Sequence, residues 1–258
     1  MDIMTAEREE RLKKLCEALK GLTDGQTEWL KKVVEQFQKP HQFKRNPNSD
    51  IISECILQDF GDGLRIHHCF SSEAFSKDKF EYALERVVNF CGGKAKLAPK
   101  GNPGHDITIN GVRFSLKTQA DKNLKAGFLH ISKFMELGKG SWSDVKDLSG
   151  LRDQFFHHMQ SYDRIFSLRR LPTGKDNLRW YELVEIPKSL LEEAKNGSLS
   201  MVQESTQTPK PGYCHVKDAK GSEKFQLYFD GGTERKLQIK NIDKSLCVVH
   251  AEWEFETE

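Results

Sequence analysis

Between residues 106 and 117 two runs of alternating residues, Asp106-Ile107-Thr108-Ile109 and Val112-Arg113-Phe114-Ser115-Leu116-Lys117, flank the pair Asn110-Gly111. An Asn-Gly pair in that setting is the strongest short-range signal for a two-residue hairpin, because both residues tolerate the positive φ that the turn demands. The turn fixes a register: Ile109 opposite Val112, Thr108 opposite Arg113, Ile107 opposite Phe114 and Asp106 opposite Ser115. Side chains alternate along a strand, so Ile107, Ile109, Val112, Phe114 and Leu116 form one apolar face. Asp106, Ser115 and Lys117 share the other. A carboxylate and an ammonium thereby meet at the open end of one hairpin.

The rest of the chain supplies a setting for that hairpin. Leu12, Leu15, Cys16 and Leu19 line one side of a first amphipathic helix, and Trp29, Leu30, Val33, Val34 and Phe37 line a second. Residues 39–50, with two prolines and two asparagines, read as a linker within one domain. Phe80, Leu84, Val87, Val88 and Cys91 mark a helix over 73–91, which Gly92-Gly93 stops. Strand patterns follow at 106–118, 126–132, 163–170 and 178–186, with a helix near 143–160, and Pro187 opens a short helix. The last quarter alternates over 212–217, 224–229, 234–242 and 246–255. The expected class is α/β (α+β), a mixed central β-sheet flanked by helices. We expect a single domain over 1–258, with 1–40 a helical subregion and 200–258 a β-rich one.

Composition matters mainly for what it excludes. A net charge of +2 neither demands nor forbids a nucleic-acid partner. No stretch approaches the roughly 18 apolar residues that span a bilayer, and the opening MDIMTAEREERLKKL has no signal-peptide core. The expected location is therefore the cytoplasm, with the six cysteines as free thiols. No two of them have paired zinc-ligand spacing. Gly-Lys-Gly-Ser at 138–141 lacks the upstream glycine of a phosphate-binding loop, and neither a dinucleotide fingerprint nor a nucleophile elbow is present. A metabolic enzyme finds no foothold. His67-His68 and His157-His158 are adjacent pairs whose side chains diverge, so they read as structural or surface residues.

The open end of the hairpin suits phosphodiester hydrolysis. That reaction needs a hard cation to polarise the phosphate and acidify a water, and Asp oxygens are its natural ligands. A nearby ammonium can orient the attacking water and offset the charge developing on the phosphate.

Gly104-His105-Asp106 followed by Ser115-Leu116-Lys117 resembles the PD-(D/E)xK nuclease motif. More specifically, NPGHDITI, LKT at 116–118, HISKFMELGKG at 130–140, VEIPKSLL at 184–191, EAKN at 193–196, PKPGY at 209–213, LYFDGG at 227–232 and ERKLQIK at 234–240 are similar to the SmaI family of type II restriction endonucleases, in the MutH-like branch of that superfamily. The resemblance implies a restriction-endonuclease-like core and cleavage of double-stranded DNA leaving 5′-phosphates. It implies that Asp106 binds Mg²⁺ and that Lys117 positions the nucleophilic water. Ser115 stands where the motif usually carries a second acid. Relatives with a Ser-x-Lys version import a glutamate from a neighbouring helix, which makes Glu81 the expected second ligand, with Glu136 the alternative and Glu85 a lesser one.

DNA recognition needs phosphate contacts for affinity and base-edge contacts for sequence. In residues 234–240 Leu237 and Ile239 point inward, leaving Lys236, Gln238 and Lys240 in an outward row beside Arg235. Lys210 and Tyr213 tip a neighbouring loop, and Lys133, Lys139, Arg164, Arg169 and Arg170 are further candidates for backbone contacts. The family resemblance extends the expectation to a GC-rich palindrome such as CCCGGG, read by a homodimer. Two competing readings differ in outcome: a MutH-like enzyme nicks one strand, and a DNA-binding module with a decayed site does not cut.

Overall fold

The protein is described by a computed structural model covering residues 3–99, 101–102, 104–121 and 123–257. In chain order the helices are α1 (Ile3–Leu19), α2 (Asp24–Gln38), α3 (Glu54–His68), α4 (Lys77–Phe90), α5 (Val145–Met159) and α6 (Lys188–Glu192). The first seven strands are β1 (His41–Arg45), β2 (Ala95–Leu97), β3 (Ile107–Ile109), β4 (Val112–Gln119), β5 (Phe128–Glu136), β6 (Arg164–Leu171) and β7 (Leu178–Glu185). Five more follow: β8 (Ser198–Met201), β9 (Gly212–Lys217), β10 (Glu223–Phe229), β11 (Lys236–Asp243) and β12 (Val248–Glu256).

Asn110 and Gly111 take φ of 50° and 85°, and β3 pairs with β4 in the register that the turn dictates, Ile107 with Phe114 and Ile109 with Val112. The hairpin enters a seven-stranded sheet of order β1-β12-β7-β6-β4-β3-β2. It is mixed, because β4 runs parallel to β6 while its other pairings are antiparallel. A second, five-stranded antiparallel sheet has the order β5-β11-β10-β9-β8. The α/β expectation of a mixed sheet flanked by helices holds.

Period-two alternation gives the first sheet two buried faces. On one, Ile107, Phe114, Leu116, Phe166 and Leu183 pack against Leu57, Phe60, Phe80 and Leu84 of α3 and α4. On the other, Ile165 and Val184 pack with Phe155 of α5 and with Phe225, Leu227 and Ile239 of the second sheet. Strands β6 and β7 feed both cores, so the layers share one middle sheet. The short polar caps of α3 and α4, Ser53 and Ser76, accept hydrogen bonds from Ile56 and Lys79 and set where each helix begins.

Several expectations change. Residues 41–45, read as linker, form β1 and pair with β12, Phe43 opposite Trp253. The partner strand lies some two hundred residues away, where local pattern has no reach. The C-terminal β-rich segment divides: β9 to β11 build the second sheet, whereas β12 returns to the first. The cysteines are not all thiols, since Cys55 on α3 and Cys91 at the end of α4 form a disulfide with Cα atoms 5.8 Å apart. Their separation of 36 residues hid a pairing that only the packing of α3 on α4 creates. Cys16, Cys69, Cys214 and Cys247 remain thiols. Among the described residues no helix is long and apolar enough to cross a membrane.

The helices α1 and α2 form as their periodicity predicts; α2 leans on α3, Trp29 meeting Phe70 at 4.9 Å and Phe37 lying under the Arg65 guanidinium, yet much apolar surface on both helices stays exposed. Residues 6–20 are exposed throughout, with Leu12, Leu15 and Leu19 at 51%, 55% and 40% and Trp29 and Val34 at 58% and 54%.

Candidate active site

Asp106 lies in a bend just before β3, its amide donating to the Phe114 carbonyl at 2.8 Å. Its carboxylate is fixed from the chain across the hairpin: Oδ2 accepts from the Leu116 amide at 2.6 Å and from Ser115 Oγ at 3.4 Å. Gly104, two residues earlier, lies against Ser161, where a Cβ would stand 2.7 Å from that residue's own Cβ. The chain can approach the end of α5 this closely only without a side chain. The paired register ends at Ile107 and Phe114, one step short of the expected Asp106–Ser115 pair, and it is the Asp106 side chain that closes on Ser115 and Leu116.

The second carboxylate comes from α4. Glu81 lines the same cavity as Asp106, a cleft of about 450 Å³ whose walls include Lys77, Asp78, Tyr82, Asn102 and His105. Between the two acids stands the Lys77 ammonium, 2.7 Å from Asp106 Oδ1 and 3.1 Å from Glu81 Oε1. Glu136 lies elsewhere. It ends β5 in the second sheet, 72% exposed, and is ion-paired with Lys133 at 3.0 Å. Glu85, one turn beyond Glu81, accepts from the Leu97 amide at 2.8 Å and so serves the α4–β2 junction.

Burial dominates the electrostatics. It pushes the Glu81 carboxyl above its ordinary value, against the pull of Lys77. Burial by itself would lower Lys77, but its bonds to Asp106 and then Glu81 outweigh it and hold the ammonium above the usual lysine value. Among the described residues Lys117 has no such direct partner. Burial brings it down to about 8 against the attraction of Asp106, and Nζ sits 5.7 Å from the centre of the Phe134 ring. Tyr162, wholly buried, has a hydroxyl with no hydrogen-bond partner among the described residues, and Asp106 adds to the burial that raises it.

Among the described residues no group of three or more His, Cys, Asp or Glu is assembled for a metal. What the site offers is two carboxylates converging on a point already held by a cation, the Lys77 ammonium. Two hard oxygen donors in a water-accessible cleft suit a divalent ion that completes its shell with water and phosphate oxygens. The residues fit such an ion.

The outward row expected on β11 lies on the open face of the second sheet. Lys240 and Gln238 stand opposite Gln226 and Tyr228 of β10, and Tyr228 opposite Tyr213 of β9. The Lys240 ammonium lies 3.5 Å from the Tyr228 ring centre, and the two tyrosine rings are 4.9 Å apart. Leu237, Ile239, Leu227 and Phe225 point the other way, into the core. Tyr228 escaped sequence reading, although it alternates with Leu227 and Phe229 in the same way. Gln238 is held by Asp230 at 3.1 Å and Lys236 by Glu234 at 2.8 Å. The Arg235 guanidinium donates to the Lys139 carbonyl at 2.7 Å, and the Lys210 ammonium donates to the Gln203 carbonyl.

Arg169 is a correction. It is completely buried against Glu182, which also holds Lys244 at 2.8 Å, so no phosphate can reach it. An isolated buried guanidinium is unstable, and nothing in the local pattern around Arg169 signals that Glu182 lies opposite it on β7. Arg164 is likewise committed, to Asp50 at 2.7 Å and Glu185 at 2.6 Å. His68 is buried with its ring bonded to the Ser71 carbonyl and the Tyr181 hydroxyl, a structural role as expected.

A mixed sheet that presents a clamped aspartate and a half-buried lysine from one hairpin, with a helical glutamate across the cleft, has the plan of a restriction-endonuclease-like nuclease. The family model for SmaI, described as a type II site-specific deoxyribonuclease, matches residues 15–255. A curated relative, the type II restriction enzyme SmaI of Serratia marcescens, is 43% identical over 235 residues, covering 91% of this chain and 93% of the relative. The chain belongs to the SmaI family of type II site-specific deoxyribonucleases and is a DNA-cleaving hydrolase. No solved structure matches it.

Proposed function

We propose that this protein cuts double-stranded DNA at a short GC-rich palindrome, CCCGGG or one close to it, as a Mg²⁺-dependent homodimer working in the cytoplasm and leaving 5′-phosphates. The observation that carries the site assignment is the convergence of Asp106 and Glu81 on one point, bridged by Lys77 within 3.1 Å of both. Asp106 and Glu81 would hold the ion. Bound there, Mg²⁺ would polarise the scissile phosphate and acidify a water. Lys117 orients the attacking water from the hairpin, and Ser115 steadies the Asp106 carboxylate rather than reacting itself. The neighbouring charges and the dry wall formed by Phe134 keep these groups at fixed distances before DNA arrives, which is where electrostatic catalysis draws its advantage.

Recognition falls to the open face of the second sheet. Lys236, Gln238, Lys240 and Tyr213, joined by Tyr228, form a patch that can hold phosphates and read base edges, with Arg235 and Lys210 shaping the flanking loops. On this reading the chain is one domain, in which α1 is an appendage, α2 docks on α3, and β9 to β11 carry recognition. Digestion of a plasmid of known sequence tests the whole proposal. Linear fragments with mapped ends at one palindrome are expected. Nicked circles alone would point to single-strand cutting, and intact plasmid in the presence of Mg²⁺ would refute catalysis. In the same assay Glu81→Ala is expected to lower cleavage by on the order of a hundredfold or more. Glu136→Ala should leave the rate within about threefold of the unsubstituted protein, since it removes only an exposed ion pair. The reverse pattern would move the second ligand to β5.

The homodimer has a candidate seam in the uncovered apolar row of α1. A lone amphipathic helix of this length is marginal in water, so α1 needs a surface to lie on. Antiparallel pairing of two copies about a point between Leu15 and Cys16 sets Leu12 opposite Leu19 and Lys14 opposite Glu17 of the second copy, apolar on apolar and cation on anion. Light scattering should show a dimer that Leu15→Glu converts to monomer with folding intact. A dimer that survives this substitution would place the seam elsewhere.

A further inference from the structure

Asp106 and Glu81 come from different elements, the hairpin and α4, and both are largely shielded from solvent, with side chains 15% and 19% exposed. Two carboxylates drawn toward one point repel each other unless a positive charge stands between them. Lys77 supplies that charge. It occupies the first turn of α4, behind the Ser76 cap, and lies four residues before Glu81. Its backbone is therefore anchored, while its side chain, 42% exposed, reaches the acids on a flexible four-carbon stem. The ammonium can withdraw toward solvent by rotation about that stem, with no change in the helix.

We infer that Lys77 is a built-in stand-in for the divalent ion, holding Asp106 and Glu81 converged in the metal-free protein and leaving the site as the ion enters. This rests on the reading of those two acids as the metal ligands. An ammonium bonded to both carboxylates and a divalent ion bonded to both cannot share one position, so binding is an exchange of one cation for another. Two consequences follow. The protein keeps its catalytic geometry before metal arrives, because the carboxylates never face each other unbalanced. Metal affinity is also lower than the two carboxylates would give alone, since the ion must first break two ion pairs. The displaced ammonium stays on the rim of the cleft, where a DNA phosphate can take it up. DNA and metal should then strengthen each other's binding, because the phosphate removes the ion's competitor.

Mn²⁺ binding measured by calorimetry, without DNA, tests this on the full-length protein and on its Lys77→Met, Lys77→Arg and Asp106→Asn variants. Lys77→Met is expected to bind Mn²⁺ at least about tenfold more tightly than the unsubstituted protein, because a competing cation within hydrogen-bond reach is gone. Lys77→Arg, which keeps the charge, should bind as the unsubstituted protein does. Thermal unfolding gives a second readout: Lys77→Met should melt lower than the unsubstituted protein without metal and gain more from Mn²⁺. Binding that depends on Asp106 but is no tighter in Lys77→Met overturns the exchange alone. Binding that is indifferent to Asp106→Asn overturns the ligand assignment and the exchange with it.

Discussion

Asp106→Asn should lower DNA cleavage by on the order of a thousandfold, equivalent to about 4 kcal/mol of transition-state stabilisation. The amide keeps the size of the carboxyl and an oxygen for the Leu116 N–H, which donates to it at 2.6 Å, so the hairpin stays closed. What disappears is the negative charge that a divalent ion and the Lys77 ammonium both require. Binding of the target duplex without metal should persist or tighten modestly, since an anion near the path of the phosphates has been removed. Cleavage within about tenfold of the unsubstituted rate would remove Asp106 from the metal site. Loss of duplex binding together with cleavage would indicate a damaged fold, which circular dichroism would show directly.

Lys117→Met should abolish cleavage and stabilise the protein at the same time. Burial holds this lysine near pH 8, against 10.5 for an unperturbed side chain. A folded-state value below the unfolded one means that folding costs free energy wherever the unfolded lysine is charged. That cost is fully present below about pH 8 and fades as pH rises toward 10.5. A depression of this size corresponds to about 3 kcal/mol. Methionine fills nearly the same volume beside Phe134 without a charge to desolvate. The expected result at pH 7 is a melting temperature raised by roughly 5–10 °C, with the gain shrinking at pH 10. A variant no more stable than the unsubstituted protein at pH 7 would mean that Lys117 is better solvated than its place in the hairpin implies. The trade of stability for chemistry is common where a charge is kept in a dry site.

What could be read from the chain divides by distance along it. The hairpin was legible because its register follows from Asn110-Gly111 and a period of two, all within a dozen residues. Glu81 was legible as a helical acid only through family resemblance, since nothing in KFEYALE says what the helix faces. Lys77 was missed, although its i,i+4 spacing to Glu81 is a readable local signal. Its decisive partner, Asp106, lies 29 residues away on another element. The same limit applies to β1, whose partner β12 closes the chain, and to Arg169, whose buried position depends on Glu182 across a strand pair. Charge patterns reveal which residues are able to meet, whereas packing decides which do.

The shared middle sheet has an evolutionary consequence. The groups proposed to cut hang from one end of the first sheet, and those proposed to read lie on the outward face of the second. Residues on that outward face lie outside the core behind it, where Leu237, Ile239 and Leu227 are wholly buried. Surface changes of that kind usually alter stability by no more than about 0.5 kcal/mol. A lineage can therefore change what it recognises through single steps that leave folding and hydrolysis intact, so that target preference drifts while the cutting chemistry is inherited unchanged.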